Sequence, residues 1–201
     1  MTALVGAVPK AKTKYYLDTS AVFALASVQA AKAGQQVPTI ETQRANRLSP
    51  FLAKVAVAGG LVCTSVLAFQ EVANIARRKA RDEFAKQAGF SSWNHLESSA
   101  AQSVQDTVAS QAHGAMLQVL EWAAVAVRDA NGETEQPAVA ADQTKERGQR
   151  LRKAHRRFLR AYARLDSMDA LHIVIGTELG AKDFISFDKA WESVTEIVVY
   201  A

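Results

Sequence analysis

The chain has 201 residues, 49% of them hydrophobic, with 24 Lys+Arg against 20 Asp+Glu and one cysteine. That length accommodates one domain with a sizeable core, and the single cysteine excludes both an internal disulfide scaffold and a Cys-rich zinc site. The longest nearly apolar run, Val55 to Phe69, is 15 residues and is broken by Gly59-Gly60, too short for a membrane span, and the first residues lack the basic-then-apolar order of a secretory signal, so a cytoplasmic chain is expected.

Residues 1–13 read as a tail. KYYL, Lys14 to Leu17, is β-prone and ends at Asp18. Thr19 to Ala33 is rich in Ala, Val, Leu and Phe and predicts a helix, with Thr19 or Ser20 as its cap. Gly34 and Pro38 mark a break. Residues 39–58 resume helical spacing, with Leu48, Phe51, Leu52 and Val55 on one stripe, and Gly59-Gly60 stops them. LVCTS, Leu61 to Ser65, is a second strand. It leads into a helix over Val66 to Lys79 on which Glu71 lies early.

Residues 80–128 are Ala- and Gln-rich and helical in propensity, with a turn over Gly89 to Asn94 and a helix over His113 to Arg128. Residues 129–144 read as a polar loop. Residues 145–164 then hold nine Lys/Arg and one Glu, a net charge of +8 in a chain whose total is +4. The basic character is therefore local. Leu151, Ala154, Phe158, Leu159 and Tyr162 fall on one helical face, and most of the arginines fall elsewhere. Self-repulsion on such a helix is costly without a polyanion or an acidic partner. Arg150, Arg152, Lys153, Arg156, Arg157 and Arg160 are the candidate nucleic-acid contacts, and they would touch phosphates without reading sequence.

Asp166-Ser167 caps a further helix, Met168 to Leu179, ended by Gly180. DFISF, Asp183 to Phe187, is a third strand ending at Asp188, and Glu196 to Tyr200 is a fourth. Asp183 is expected to face solvent. Strands separated by helices argue an α/β fold with a mostly parallel sheet.

Four acids then stand out. Asp18 and Asp188 follow strands, where α/β proteins gather ligands. Glu71 lies in the first turns after the second strand, and Asp169 opens an apolar helix in which a charge needs a partner. The plain readings are a helix cap for Asp18, a solvated side chain for Glu71 and a turn residue for Asp188. If the four share a site, a cation must separate them. Oxygen ligands without cysteine select Mg²⁺ or Mn²⁺, such ions serve phosphodiester hydrolysis, and the basic helix offers phosphate contacts. The four histidines show no zinc spacing. His172, near Asp169 on its helix, is a candidate supporting residue. Cys63 reads as a buried apolar side chain, and the tryptophans as core, with Trp191 bordering the site.

YYLDTSAV, then TSVLAFQEVAN, then SMDALHIVIGTELGAKDFISFDKAW resembles, in that order, the PIN-domain nucleases, including VapC-type toxins. The resemblance covers about residues 14–30, 61–79 and 165–200. It implies a Rossmann-like α/β/α sandwich over 14–201, and the chain departs from the compact toxins in being longer, with helical insertions at about 31–58 and 80–164. It places the family's acids on Asp18, Glu71, Asp169 and Asp188 around one or two Mg²⁺ or Mn²⁺ ions. Asp18 and Asp169 are expected as direct ligands. Thr19, Ser20, Ser186 and Asp166 are accessory residues. The implied function is a metal-dependent endoribonuclease, the toxin of a toxin–antitoxin pair, with a protein antitoxin as inhibitor and a homodimer as assembly. The alternatives are a DNA-directed nuclease and a non-catalytic module that binds nucleic acid or protein.

Overall fold

The computed structural model describes residues 2–35, 37–130 and 145–201, with side chains from residue 149 onward in the last segment. In chain order its elements are β1 (Lys14–Leu17), α1 (Thr19–Lys32), α2 (Thr39–Val57), β2 (Leu61–Cys63), α3 (Val66–Gln87), α4 (Trp93–Ser99), α5 (Gln102–Ala130), α6 (Lys145–Ala161), α7 (Ser167–Glu178), β3 (Asp183–Ile185), a 3-10 turn (Lys189–Ser193) and β4 (Val198–Tyr200). The loop expected at 129–144 lies outside the described residues except for Asp129 and Ala130, which end α5.

The strands form one sheet in the order β2-β1-β3-β4, every neighbouring pair parallel. Alternation along each strand sends side chains to opposite faces. Tyr15, Leu17, Val62, Ile185 and Tyr200 join a core with α1, α2, α3 and α5. Tyr16, Cys63, Phe184 and Val199 join a second core with α6, α7 and Trp191. Parallel strands covered on both faces are apolar throughout, which is why KYYL reads as a run rather than an alternation. The fold is therefore mixed α/β, an all-parallel sheet between two helical layers.

Burial of Cys63 in that sheet pushes its thiol up to about 12, so it packs as an apolar side chain. No helix among the described residues is long and apolar enough to cross a membrane.

Several boundaries move. The cap of α1 is Asp18, whose carboxylate accepts from the Ala21 N–H, and not Thr19 or Ser20. A charged acceptor at that position serves the open N–H groups of the first turn. α3 runs on to Gln87, and α5 begins at Gln102. These two helices and α4 enclose a separate small cluster of Ala85, Leu96 and Val108. On α6, Phe158 is buried, whereas Leu159 is 36% exposed and falls off the packed stripe.

Asp183 is the clearest correction. It is 1% exposed and accepts from Lys10 Nζ at 2.7 Å and from the Tyr200 hydroxyl at 3.3 Å. A buried carboxylate persists only with such partners. The N-terminal segment that supplies Lys10 also packs on the sheet. Leu4 is buried, and Thr2 pairs in parallel alongside β4 opposite Tyr200, donating to Val199 O and accepting from Ala201 N.

α7 crosses the sheet at Gly176, where an added Cβ would stand 2.4 Å from Phe184 Cε1 and 2.8 Å from Tyr16 Cγ. Gly176→Ala is therefore expected to destabilise the fold by about 1–3 kcal/mol, the cost of overpacking a core. Thermal unfolding checks it; an unchanged Tm would mean that α7 does not pack this closely.

Candidate active site

The sheet order turns at β1. The chain passes from β1 outward to β2, then returns to place β3 on the other side of β1. Such a switch opens a crevice at the carboxyl ends of the two central strands. β1 ends at Asp18, and β3 leads through Ser186 to Asp188. The two ends are tied together, because Asp18 N donates to Ile185 O at 3.1 Å.

A cleft of about 600 Å³ lies there, lined by Asp18, Glu71, Asp169 and Asp188, with Thr19, Ser20, Asp166 and His172 among its other walls. All four acids singled out in the sequence, brought from four elements, therefore share one cavity. Of the accessory residues, Ser186 is fully buried and stands behind Asp18 instead.

Asp18 is the most enclosed, at 5% exposure. Its Oδ1 accepts from Ala21 N and from Ser20 Oγ, both at 2.8 Å. Its Oδ2 accepts from Ser186 Oγ at 2.5 Å. Burial pushes this carboxyl above its ordinary range, against the opposing effect of those hydrogen bonds. Ser20 and Ser186 also hold the loop beyond β3, accepting from Phe187 N and Asp188 N. The plain reading of Asp18 as a cap is thus correct, and the cap faces the cleft.

Asp169 takes part in a capping box with Asp166, which accepts from Met168 N and Asp169 N. Its Oδ1 also accepts from the indole N–H of the buried Trp191 at 2.8 Å. Burial pushes the Asp169 carboxyl up, the Trp191 bond opposes this, and the nearby charges of Asp166 and Asp188 push it further up. Asp188 is exposed and caps the 3-10 turn through Ala190 N.

Glu71 is not merely solvated. Its Oε2 accepts from Thr19 Oγ1 and lies 2.6 Å from His172 Nε2. His172 is 2% exposed, and its Nδ1 lies 2.7 Å from the Tyr16 hydroxyl, itself 2.8 Å from Ser65 Oγ. With the proton on Nε2, the chain has one consistent direction: Ser65 donates to Tyr16, Tyr16 to His172, and His172 to Glu71. Burial alone would raise the Glu71 carboxyl, but the bonds from His172 and Thr19 outweigh it and hold it below its ordinary range.

His172→Ala removes the middle of this chain. It is expected to cost about 1–3 kcal/mol, the scale for stranding a buried polar group. It should also lower any Glu71-dependent activity by about 10–100-fold, as loss of an orienting partner does. Urea unfolding and kinetics on one preparation test both parts; full activity would show that Glu71 needs no such support.

The donor set suits a hard divalent cation. It consists of carboxylates and hydroxyls, with no thiolate. Among the described residues no Lys or Arg forms an ion pair with Asp18, Asp169 or Asp188. The carboxylates surround the cleft without meeting at a point: among the described residues no three of His, Cys, Asp and Glu stand close enough together to hold an ion.

The basic residues of α6 lie elsewhere. Arg150, Arg152, Lys153, Arg156, Arg157 and Arg160 line a separate, open surface, and Arg157 is paired with Glu196 at 2.6 Å. The cleft's own cations are Arg44, Arg78 and Lys79, which the sequence reading passed over. A signal existed for two of them: positions 78 and 79 lie two helical turns beyond Glu71 and so share its face. Comparison of the chain with protein-family models, curated proteins and solved structures finds no match.

Proposed function

We propose that the protein is a metal-dependent endoribonuclease of PIN-like α/β/α architecture. One observation carries the reading: Asp18, Glu71, Asp169 and Asp188 line a single cleft at the carboxyl ends of the central strands. The motif order that resembles PIN-domain nucleases supports the same assignment.

Asp18, Asp169 and Asp188 would hold Mg²⁺ or Mn²⁺. A bound divalent cation supplies Lewis acidity and charge neutralisation at the phosphodiester. The protein's own contribution is positional. Ser20, Ser186 and the Ala21 N–H fix the Asp18 carboxylate, and Trp191 fixes that of Asp169. Fixed charges of this kind need no reorganisation as the reaction proceeds. Glu71, kept ionised by His172 and Thr19, is the group that orients the attacking water and accepts its proton. The likeness to VapC-type toxins adds a protein antitoxin that would cover the cleft.

A panel of single- and double-stranded RNA and DNA, incubated with Mn²⁺, Mg²⁺ or EDTA, tests the reading. Cleavage of RNA that EDTA abolishes is the expected result. Exclusive cleavage of DNA would move the assignment to a DNA-directed nuclease. No cleavage of any substrate by folded protein counts for a binding module.

A further inference from the structure

The cleft carries both signs of charge. Beside the acids described above, Arg44 of α2 and Arg78 and Lys79 of α3, the helix that also carries Glu71, form a basic stretch of wall, with Glu41 of α2 and Phe23 of α1 among them. Oppositely charged side chains lining one cavity ordinarily pair. Here two of the three cations do not. Among the described residues, Arg78 and Lys79 make no ion pair, and both are exposed. Arg44 alone is engaged, 3.3 Å from the buried Glu41.

An aromatic face completes this wall. Lys79 Nζ lies 4.5 Å from the centroid of the half-buried Phe23 ring. The Arg44 guanidinium in turn lies over the Phe187 ring, which stands behind the cleft lining, at 5.5 Å. Cations interleaved with aromatic rings suit a strand whose phosphates are anionic and whose bases are free to stack. A duplex keeps its bases stacked on one another and has none to offer. A polyanion entering a cleft with so many carboxylates also needs compensating positive charge close by. The α2–α3 wall supplies it inside the cleft, whereas α6 supplies its charge on a separate surface.

We propose that Arg44, Arg78 and Lys79 hold the phosphates of single-stranded nucleic acid beside the acids, and that this wall, not α6, is the grip on substrate at the cleft. The inference rests on the nucleic-acid part of the function proposed above, but not on catalysis.

The experiment is fluorescence anisotropy in EDTA with labelled eight-nucleotide RNA, DNA and duplex probes, using wild type, Arg44→Gln/Arg78→Gln/Lys79→Gln and Arg152→Gln/Arg156→Gln/Arg160→Gln. Wild type is expected to bind the single strands in preference to the duplex. The cleft variant should bind at least about tenfold more weakly, with a salt slope reduced by about 2–3, as loss of two or three phosphate contacts implies. The α6 variant should stay within about twofold of wild type on these short probes.

Circular dichroism checks the fold. If the triple variant is unfolded, Arg78→Gln alone, at an exposed position without an ion-pair partner, must still weaken binding and flatten the salt slope. The proposal is overturned if wild type binds no short single strand, if duplex binds as tightly, or if the α6 variant alone loses affinity. Binding that follows these expectations without metal-dependent cleavage would overturn the nuclease reading and leave this one standing. Cleavage with binding unaffected in the cleft variant would do the reverse.

Discussion

Asp18→Asn is expected to lower metal-dependent cleavage by about three orders of magnitude, the scale at which a fixed electrostatic group at a reacting centre acts, while the fold persists. The geometry separates the two effects. Asparagine retains an oxygen for the Ala21 N–H and Ser20 Oγ bonds that Asp18 Oδ1 now accepts. Its amide can face Ser186 Oγ, which now donates to Oδ2. The cap is therefore preserved, and only the charge is lost. Asp18→Ala makes the contrast, because it also removes the cap, at a cost of about 1 kcal/mol.

The same substitution carries a stability signature. Burial raises the Asp18 carboxyl above its ordinary value in the folded chain. The folded state then holds a proton that the unfolded state has released, so stability falls as pH rises from the unfolded value through the folded one. Asparagine carries no such penalty. The Tm of Asp18→Asn should therefore exceed that of wild type near neutral pH, and the gap should close as pH drops below the ordinary aspartate range. Loss of activity together with gain of stability marks a charge held in place against the fold's own preference. Unchanged metal-dependent cleavage by the folded variant would remove Asp18 from the site.

The parts of this arrangement that were legible in the sequence are local. KYYL followed at once by Asp18 states a buried strand and its end within five residues. Asp166, standing just before an apolar helix, states that helix's cap. The parts that were not legible depend on partners far apart in the chain. Asp183 looks like a solvent-facing residue because Lys10, which pairs with it, stands 173 residues away. Glu71 looks solvated because His172 reaches it across 101 residues. Asp169 demanded a partner, but nothing nearby named Trp191. The reach of α5 was hidden for another reason: its Ala- and Gln-rich run has good propensity at nearly every position and so weak boundaries. As for α6, charge density alone pointed to its arginines. Only the packing of α6 against α7 and the second core separates that surface from the acids.

Saturating Mn²⁺ or Mg²⁺ is expected to raise the Tm of the wild-type chain by about 5–10 °C. An ion at about 100 times its dissociation constant stabilises the folded state by about 2.7 kcal/mol, and each kcal/mol is worth about 2–4 °C in a domain of this size. The carboxylates supply the reason. Burial, and then the nearby charges of Asp166 and Asp188, push Asp169 upward, no Lys or Arg among the described residues forms an ion pair with these acids, and a divalent cation would offset their charge. Because the carboxylates do not already meet at a point, binding must draw them inward, and part of the gain is spent on that movement. Asp169→Asn separates the contributions. It keeps an acceptor for the Trp191 indole and removes a half-buried charge, while the Asp166 N–H loses the acceptor it has on Oδ2, so its Tm in EDTA should stay close to that of wild type. Its rise with Mn²⁺ should fall below about 2 °C, since a main ligand is gone. Differential scanning calorimetry on both proteins, with Mn²⁺ and with EDTA, decides the matter. A wild-type Tm indifferent to either ion would show that these acids hold no metal, and the nuclease proposal would fall with it. An equal rise in both proteins would place the ion away from Asp169.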